Sequence, residues 1–480
     1  MKPNIFFLVI DGLRADKFYG SNKSSITPNI DVLLKKGTYF NQSISSAPFT
    51  FGAVSSFLTS LYPFECLIKE KSIYKRDRKI KTYIEKLQGD GYHSYAILPE
   101  IMYYIGINEV FEHLQTYKRS SKIYNGLGEQ IIKKLESEEM KEPWIFYLHI
   151  YDLQWITDYD SYANYENGEN DTKNGKNRYE RRLSLVDVWL GKIFERINLD
   201  KTLIVLTSDH GHELGDYDEE LDEYAISLQK MRLKYYDKGK IFRICNQISS
   251  KFPRVLSPLK AKMAKTYVSY RDKKIKNIKN IIPEIQKISK EGLSVYERRI
   301  RERAEIYTVG GFDERYRVPL LFVGPSIPSQ KVIQQQVRSI DIFPTICEII
   351  NLEIMKDRRG RSLWPIINGR QQDELPICIE STVNSPLSSA SEIIGIRTSD
   401  FKYFRDKSDS NKNVNLYDLK VDPLEEHNIA KQNHEIIERM ELLLKQLETR
   451  KDFDYAISEC DVDEVESKMI EQELKKLGYI

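Results

Sequence analysis

Apolar residues in this chain cluster into short, nearly unbroken runs separated by stretches of helical spacing. Ile5–Ile10 is one such run, and Tyr92–Leu98, Ile145–Ile150 and Leu203–Thr207 repeat it. Strands this continuously apolar are buried on both faces. Between them, Thr27-Pro28-Asn29-Ile30-Asp31 opens a helix: Thr27 suits its cap, Pro28 its first turn, and Gly37 its end. Phe51–Ser60, Thr82–Gln88 and Arg181–Ile197 read as further helices, and 158–177 as a loop. Strand and helix in alternation predict an α/β fold, a mostly parallel sheet sandwiched by helices. The rhythm stops after Asp216 and resumes at Val318–Val323, with a helix over Ser339–Leu352. Past Gly369 come short strands at Ile377–Glu380, Ile394–Arg397 and Lys402–Phe404, then helices, which predict a smaller C-terminal α+β subdomain. The expected organisation is an α/β domain from residues 1–216 and 307–370, an insertion over 217–306, and a C-terminal subdomain over 371–480.

Composition sharpens this in three places. With 480 residues, 41% of them hydrophobic and 30% charged, the chain can fill a large core and lacks the profile of a disordered protein. Its longest aliphatic or aromatic run, Ile5–Ile10, falls far short of the roughly 20 residues that span a bilayer, and no small-residue cleavage site follows it. The expectation is a cytoplasmic protein without signal peptide or transmembrane segment, peripheral to a membrane at most. Five cysteines without a CxxC pair argue against a disulfide framework or a structural zinc site.

Net charge is only +2, yet Lys230 to Arg303 holds 22 Lys plus Arg against 6 Asp plus Glu. That stretch carries +16, so the remainder carries 2 − 16 = −14. A segment so basic suits a polyanion, with anionic lipid or an acidic glycan expected before nucleic acid; a solvated lysine-rich helical hairpin is the plainer reading.

The chemistry gathers at strand ends. Ile5–Ile10 runs into Asp11, and Leu203–Thr207 into Ser208-Asp209-His210. In open parallel sheets ligands bind beyond the carboxyl ends of the strands. Two carboxylates and an imidazole delivered there suit a divalent cation. Thr50 precedes the helical run from Phe51, at the expected cap, where free N–H groups favour an anion. A hydroxyl there, acidified by a metal, can attack a phosphorus or sulfur ester, whereas alone it would be an ordinary cap.

Taken in order, several segments resemble the sulfatase family of the alkaline phosphatase superfamily. They are Pro3-Asn4-Ile5 through Val9-Ile10-Asp11-Gly12-Leu13-Arg14-Ala15-Asp16, Thr27-Pro28-Asn29-Ile30-Asp31, Ser46-Ala47-Pro48, and Leu58-Thr59-Ser60-Leu61-Tyr62-Pro63. Thr207-Ser208-Asp209-His210-Gly211, Arg317-Val318-Pro319-Leu320, Gly360-Arg361-Ser362-Leu363 and Leu416-Tyr417-Asp418-Leu419 continue the likeness. The resemblance implies an alkaline-phosphatase-like fold and one divalent metal, Mn, Zn, Ca or Mg, held by Asp11, Thr50, Asp209 and His210. It implies Thr50 as nucleophile and Arg14 as support for the loop or for the substrate's anionic group. By position Gln154, His149 and His212 are further candidate substrate contacts, His149 against a packed strand histidine and His212 against a missing ligand or acid or a surface role in its loop.

The chain also departs from the family. Sulfatases carry a Cys or Ser that becomes formylglycine, in the pattern C/S-x-P-x-R; here the stretch is Thr50-Phe51-Gly52-Ala53-Val54. Threonine cannot form that aldehyde. Where the family has an Asp-Pro-His run this chain has Asp152-Leu153-Gln154-Trp155, and Gln154 cannot protonate a leaving group. The expectation is a metal-dependent hydrolase or transferase acting on an anionic phosphate ester, lipid- or glycan-linked, through Thr50. The alternatives are sulfate-ester hydrolysis without formylglycine, or an inactive module that binds a polyanion.

Overall fold

The protein is described by a computed structural model covering residues 2–70, 73–118, 121–154, 172–212, 299, 311–381 and 392–449. The basic segment apart from Arg299, residues 158–171 of the 158–177 loop, Cys245 and Cys460 lie outside the described residues. The described elements belong to one compact unit. Among the described residues no helix is long and apolar enough to cross a membrane, and Cys66, Cys347 and Cys378 are buried free thiols.

The strands are β1 (Asn4–Ile10), β2 (Gly37–Ile44), β3 (Leu67–Glu70), β4 (Ile73–Arg76), β5 (His93–Pro99), β6 (His113–Tyr117), β7 (Trp144–Ile150), β8 (Thr202–Thr207), β9 (Arg317–Val323) and β10 (Lys331–Arg338). All but the β3–β4 ribbon form one sheet in the order β10-β2-β9-β8-β1-β7-β5-β6. It is parallel except at β9, which runs against both β2 and β8. An apolar run marks β9 as buried without revealing its direction, so the sequence pattern could not foresee this reversal. The C-terminal sheet is antiparallel, in the order β11 (Ile377–Ser381), β12 (Ile393–Arg397), β13 (Phe401–Asp406), β14 (Asn415–Asp418).

Helices α1 (Ala15–Phe18), α2 (Pro28–Lys36), α3 (Thr50–Thr59), α4 (Pro63–Cys66), α5 (Tyr83–Gly89), α6 (Gly128–Leu135) and α7 (Arg178–Phe194) precede the basic segment. After it come α8 (Asp313–Tyr316), α9 (Ile342–Ile349), α10 (Trp364–Ile367) and α11 (His434–Thr449). Strand alternation sends Ile5, Phe7 and Val9 of β1, Ile145 and Tyr147 of β7, and Leu203 and Val205 of β8 into one core. Val54, Phe57 and Leu58 of α3, Tyr83, Ile84 and Leu87 of α5, and Ile342, Phe343 and Ile346 of α9 cover it. Phe7 lies 5.7, 5.3 and 5.0 Å, ring to ring, from Phe57, Tyr147 and Phe343.

Three local expectations change. Thr27 makes no side-chain cap on α2; Asp187 of α7 instead accepts from the Asn29 and Ile30 N–H groups at 3.1 and 2.8 Å. Gly37 is extended rather than left-handed and opens β2 directly. It is needed for room, since a Cβ there would sit 2.2 Å from the Phe322 carbonyl oxygen. Phe49 is the cap of α3, and Thr50 is its first helical residue.

The C-terminal sheet is covered by α11, with Met440 packed among Ile396, Tyr403 and Leu416. A buried ion cluster ties it to the turn before β9. Asp313 accepts from Arg397 Nη2 at 2.8 Å and Lys402 Nζ at 2.7 Å, and Lys402 also reaches Glu425 at 2.9 Å.

Candidate metal centre

The parallel pairing of β7, β1 and β8 brings three strand ends to one edge. Val9 lies beside His149 on one side and Thr207 on the other. The alternation that points Val9 and Tyr147 into the α3-facing core then carries Asp11, His149 and Asp209 to the same side. All three are fully buried, and one ligand atom from each lies within 4.8 Å of the others. Thr50, at the N-terminus of α3, faces them: its hydroxyl donates to Asp11 Oδ2 at 3.1 Å and lies 3.3 Å from His210 Nε2.

His210 has its tautomer set by geometry. Its Nδ1 sits 2.7 Å from the Gly211 carbonyl oxygen, which only accepts, so Nδ1 carries the proton. In the neutral ring the Nε2 lone pair then faces the crevice, 3.4 Å from Asp209 Oδ2 and 3.8 Å from Asp11 Oδ1. A backbone acceptor behind a ligating imidazole is the usual support of a metal site.

The electrostatics are unbalanced. Burial, followed by the charge of Asp209, raises the Asp11 carboxyl above its ordinary value, against the opposing pull of His149 and His210. Asp11 Oδ1 and Asp209 Oδ2 are buried without a hydrogen-bond partner. Two buried carboxylates with bare oxygens are costly unless a cation joins them. The donor set of carboxylates, hydroxyl and imidazole fits a divalent ion, and Asp11, Thr50, Asp209 and His210 carry donor atoms that could hold one.

The remaining expected residues separate. Gln154 and His212 come together over Gly12: a Cβ there would be 3.2 Å from Gln154 Oε1 and 3.4 Å from His212 Cδ2. Gly12 itself has φ +72°, which glycine adopts without strain. Arg14 is buried nearby, and its guanidinium holds both oxygens of Asp16, at 2.9 and 2.7 Å. His149 lies deeper than a substrate contact would, with Nε2 3.1 Å from Asp11 Oδ2.

Sequence reasoning missed the residues that fix the loops. Ser208 accepts from the Leu13 N–H at 2.9 Å and donates to the His210 carbonyl at 2.6 Å, clamping the two acid-bearing loops together. Ser45 donates to the Asp209 carbonyl at 2.6 Å, and Tyr179 donates to the Gly12 carbonyl at 2.8 Å. Ser208 had a signal, its place between a strand and Asp209; Ser45 and Tyr179 had none.

The sequence profile described as Sulfatase matches residues 3–352, and that described as N-sulphoglucosamine sulphohydrolase, C-terminal, matches 311–451. Arylsulfatase K of Gallus gallus is 26% identical over 152 residues, 30% of this chain and 28% of that protein. The chain thus matches under a third of that relative's length. BT4656, solved in complex with its substrate D-glucosamine-2-N,6-O-disulfate, superposes with a TM-score of 0.61 at 15% identity, covering 95% of this chain and 100% of that one. The phosphonate monoester hydrolase of Agrobacterium radiobacter superposes at 0.58 and 16%, covering 93% and 95%.

Proposed function

The chain belongs to the sulfatase family, and on that premise we propose that it is a metal-dependent hydrolase or transferase of an anionic ester, with Thr50 as nucleophile. The observation that carries this is the position of the Thr50 hydroxyl, at a helix N-terminus and within 3.3 Å of both Asp11 and His210. A bound divalent ion supplies positive charge that acidifies the hydroxyl and neutralises the ester oxygens.

Thr50 Oγ1, having given up its proton to water, attacks the phosphorus in line. The new O–P bond forms as the bond to the departing alkoxide breaks, and the N–H groups at the start of α3 face the developing charge. His212, beside Gly12 and outside the metal-holding set, is the imidazole assigned to protonate that alkoxide, while Gln154 is limited to hydrogen-bonding an ester oxygen. Water or an acceptor hydroxyl then takes the group from Thr50.

A phosphate ester is favoured over a sulfate ester because threonine cannot become formylglycine, and a phosphonate monoester hydrolase is among the structural relatives. The sugar disulfate bound by BT4656 supports an anionic sugar as carrier, and keeps direct sulfate transfer to Thr50 as the second reading. In this reading the excess positive charge of the Lys230–Arg303 sequence suits an anionic lipid or glycan.

The test assays metal-loaded protein on aryl phosphomonoester, phosphodiester and sulfate probes. Turnover of a phosphorus ester that disappears in Thr50→Ala and in Asp209→Ala is expected. Turnover unchanged in Thr50→Ala would remove threonine from the reaction, and sulfate release alone would move the reading to the sulfate ester.

A further inference from the structure

His149 is more than a buried strand histidine. It continues the row Ile145, Tyr147 that faces α3, and it ends level with the metal-holding residues. Its Nε2 stands 3.1 Å from Asp11 Oδ2, the same oxygen that Thr50 approaches at 3.1 Å. Thr50 to His210 is 3.3 Å, and His210 to Asp209 is 3.4 Å. Ligand atoms at right angles around an ion, with bonds of about 2.1 Å, stand about 3.0 Å apart. These four separations are close to the edges of one coordination polyhedron. Behind the ring, Nδ1 lies 3.4 Å from the Tyr147 hydroxyl, and the His149 carbonyl accepts from Tyr117 at 2.6 Å, so both ring and backbone are held in place. An outer hydrogen-bond partner of this kind is what orients a ligating imidazole.

We propose that His149 is a metal ligand, which makes the centre a two-carboxylate, two-imidazole site for a transition-metal ion such as Zn2+, Mn2+ or Co2+ in preference to Ca2+ or Mg2+. The proposal rests on the metal-dependent reading above. Its chemical basis is that imidazole nitrogen suits zinc and its neighbours, whereas calcium and magnesium prefer oxygen from carboxylates, carbonyls and water. Asp11 and Asp209 bring the charge, and His149 with His210 brings the selectivity. With Nε2 committed to the ion, His149 has no contact left for substrate.

The experiment uses the full chain, stripped with a chelator and reloaded with Co2+, whose visible absorption reports its ligands. Wild type is expected to bind one Co2+ or Zn2+ per chain and to keep it against a thousandfold excess of Ca2+. His149→Gln should alter the Co2+ spectrum and weaken Zn2+ by more than about 100-fold, beyond the range seen for outer-shell partners. Tyr147→Phe, which removes only the outer partner, should weaken Zn2+ by about 10- to 100-fold and leave the Co2+ spectrum in place. Should His149→Gln melt like an unfolded chain, His149→Ala with added imidazole replaces it, and recovery of the Co2+ band is the expected result. An unchanged Co2+ spectrum and affinity in a folded His149→Gln, or ready displacement by Ca2+, would overturn the proposal while leaving a metal-dependent enzyme. Absence of stoichiometric metal from wild type would overturn that reading as well, and this proposal with it.

Discussion

Asp11 and Asp313 are both buried carboxylates, yet their surroundings are opposite. Burial would raise the Asp313 carboxyl, but Arg397 and Lys402 outweigh it and hold the group well below the usual carboxylate range. Lys402 is in turn shared with Glu425, so charges in that cluster alternate in sign. At Asp11, burial and the neighbouring Asp209 act together, and the two nearby rings offset them only in part. Of these two carboxylates, the one in the C-terminal cluster brings its own cations; the one at the strand ends leaves an oxygen bare. A fold that can satisfy Asp313 so fully has the means to satisfy Asp11. That it leaves one oxygen each of Asp11 and Asp209 buried without a hydrogen-bond partner indicates a place for an added positive charge.

Mutation is expected to separate the two regions sharply. Asp209→Ala should cost at least about a thousandfold in turnover together with stoichiometric metal, because the centre loses a ligand rather than an orienting group; retained metal by elemental analysis would count against the assignment. Lys402→Met should cost about 3–5 kcal/mol in denaturant unfolding, since Asp313 and Glu425 lose a shared cation inside the protein. Protein that remains folded should still bind one metal ion. Asp11→Asn should act in the opposite direction, raising the stability of the metal-stripped protein by removing one of two adjacent buried carboxylates while abolishing metal binding. Destabilisation of the stripped protein by that change would break the contrast between the two carboxylates.

Acid should expose the same division. A carboxyl depressed on folding lends stability that is full above its unfolded value, about 3.9, and is lost as pH falls below it. Metal-stripped wild type is therefore expected to lose stability steeply below about pH 4. Asp313→Asn, less stable at neutral pH, should show a shallower loss; parallel pH–stability curves would remove Asp313 from that account.

The contrast also bears on what the sequence made legible. The site was readable in large part because its chemistry follows the strand pattern: apolar alternation runs straight into Asp11 and into Asp209-His210, and parallel pairing brings such ends together. The compensated cluster was not readable. Asp313, Arg397, Lys402 and Glu425 are scattered along the chain, and only the antiparallel pairing of β12 with β13 and the turn before β9 unites them. His149 falls between these cases, placed on its strand by the pattern but given its neighbour only by the register against Val9. Thr50 was located correctly at the start of α3 but one position early in its role, because Phe49 takes the extended cap conformation. Gly37 was assigned to a left-handed helix end when its reason is contact with Phe322, a pairing 285 residues distant that no local signal carries.

The central claim is that the crevice of Asp11 and Asp209 is built for a cation. The most direct measurement is the thermal melting of chelator-stripped protein before and after addition of Zn2+ or Mn2+, alongside Asp209→Ala. Wild type should rise by several degrees with one ion bound per chain, as ligand binding to the folded state alone requires, and Asp209→Ala should not respond. Identical melting of stripped and metal-treated wild type, with no ion retained, would contradict the account.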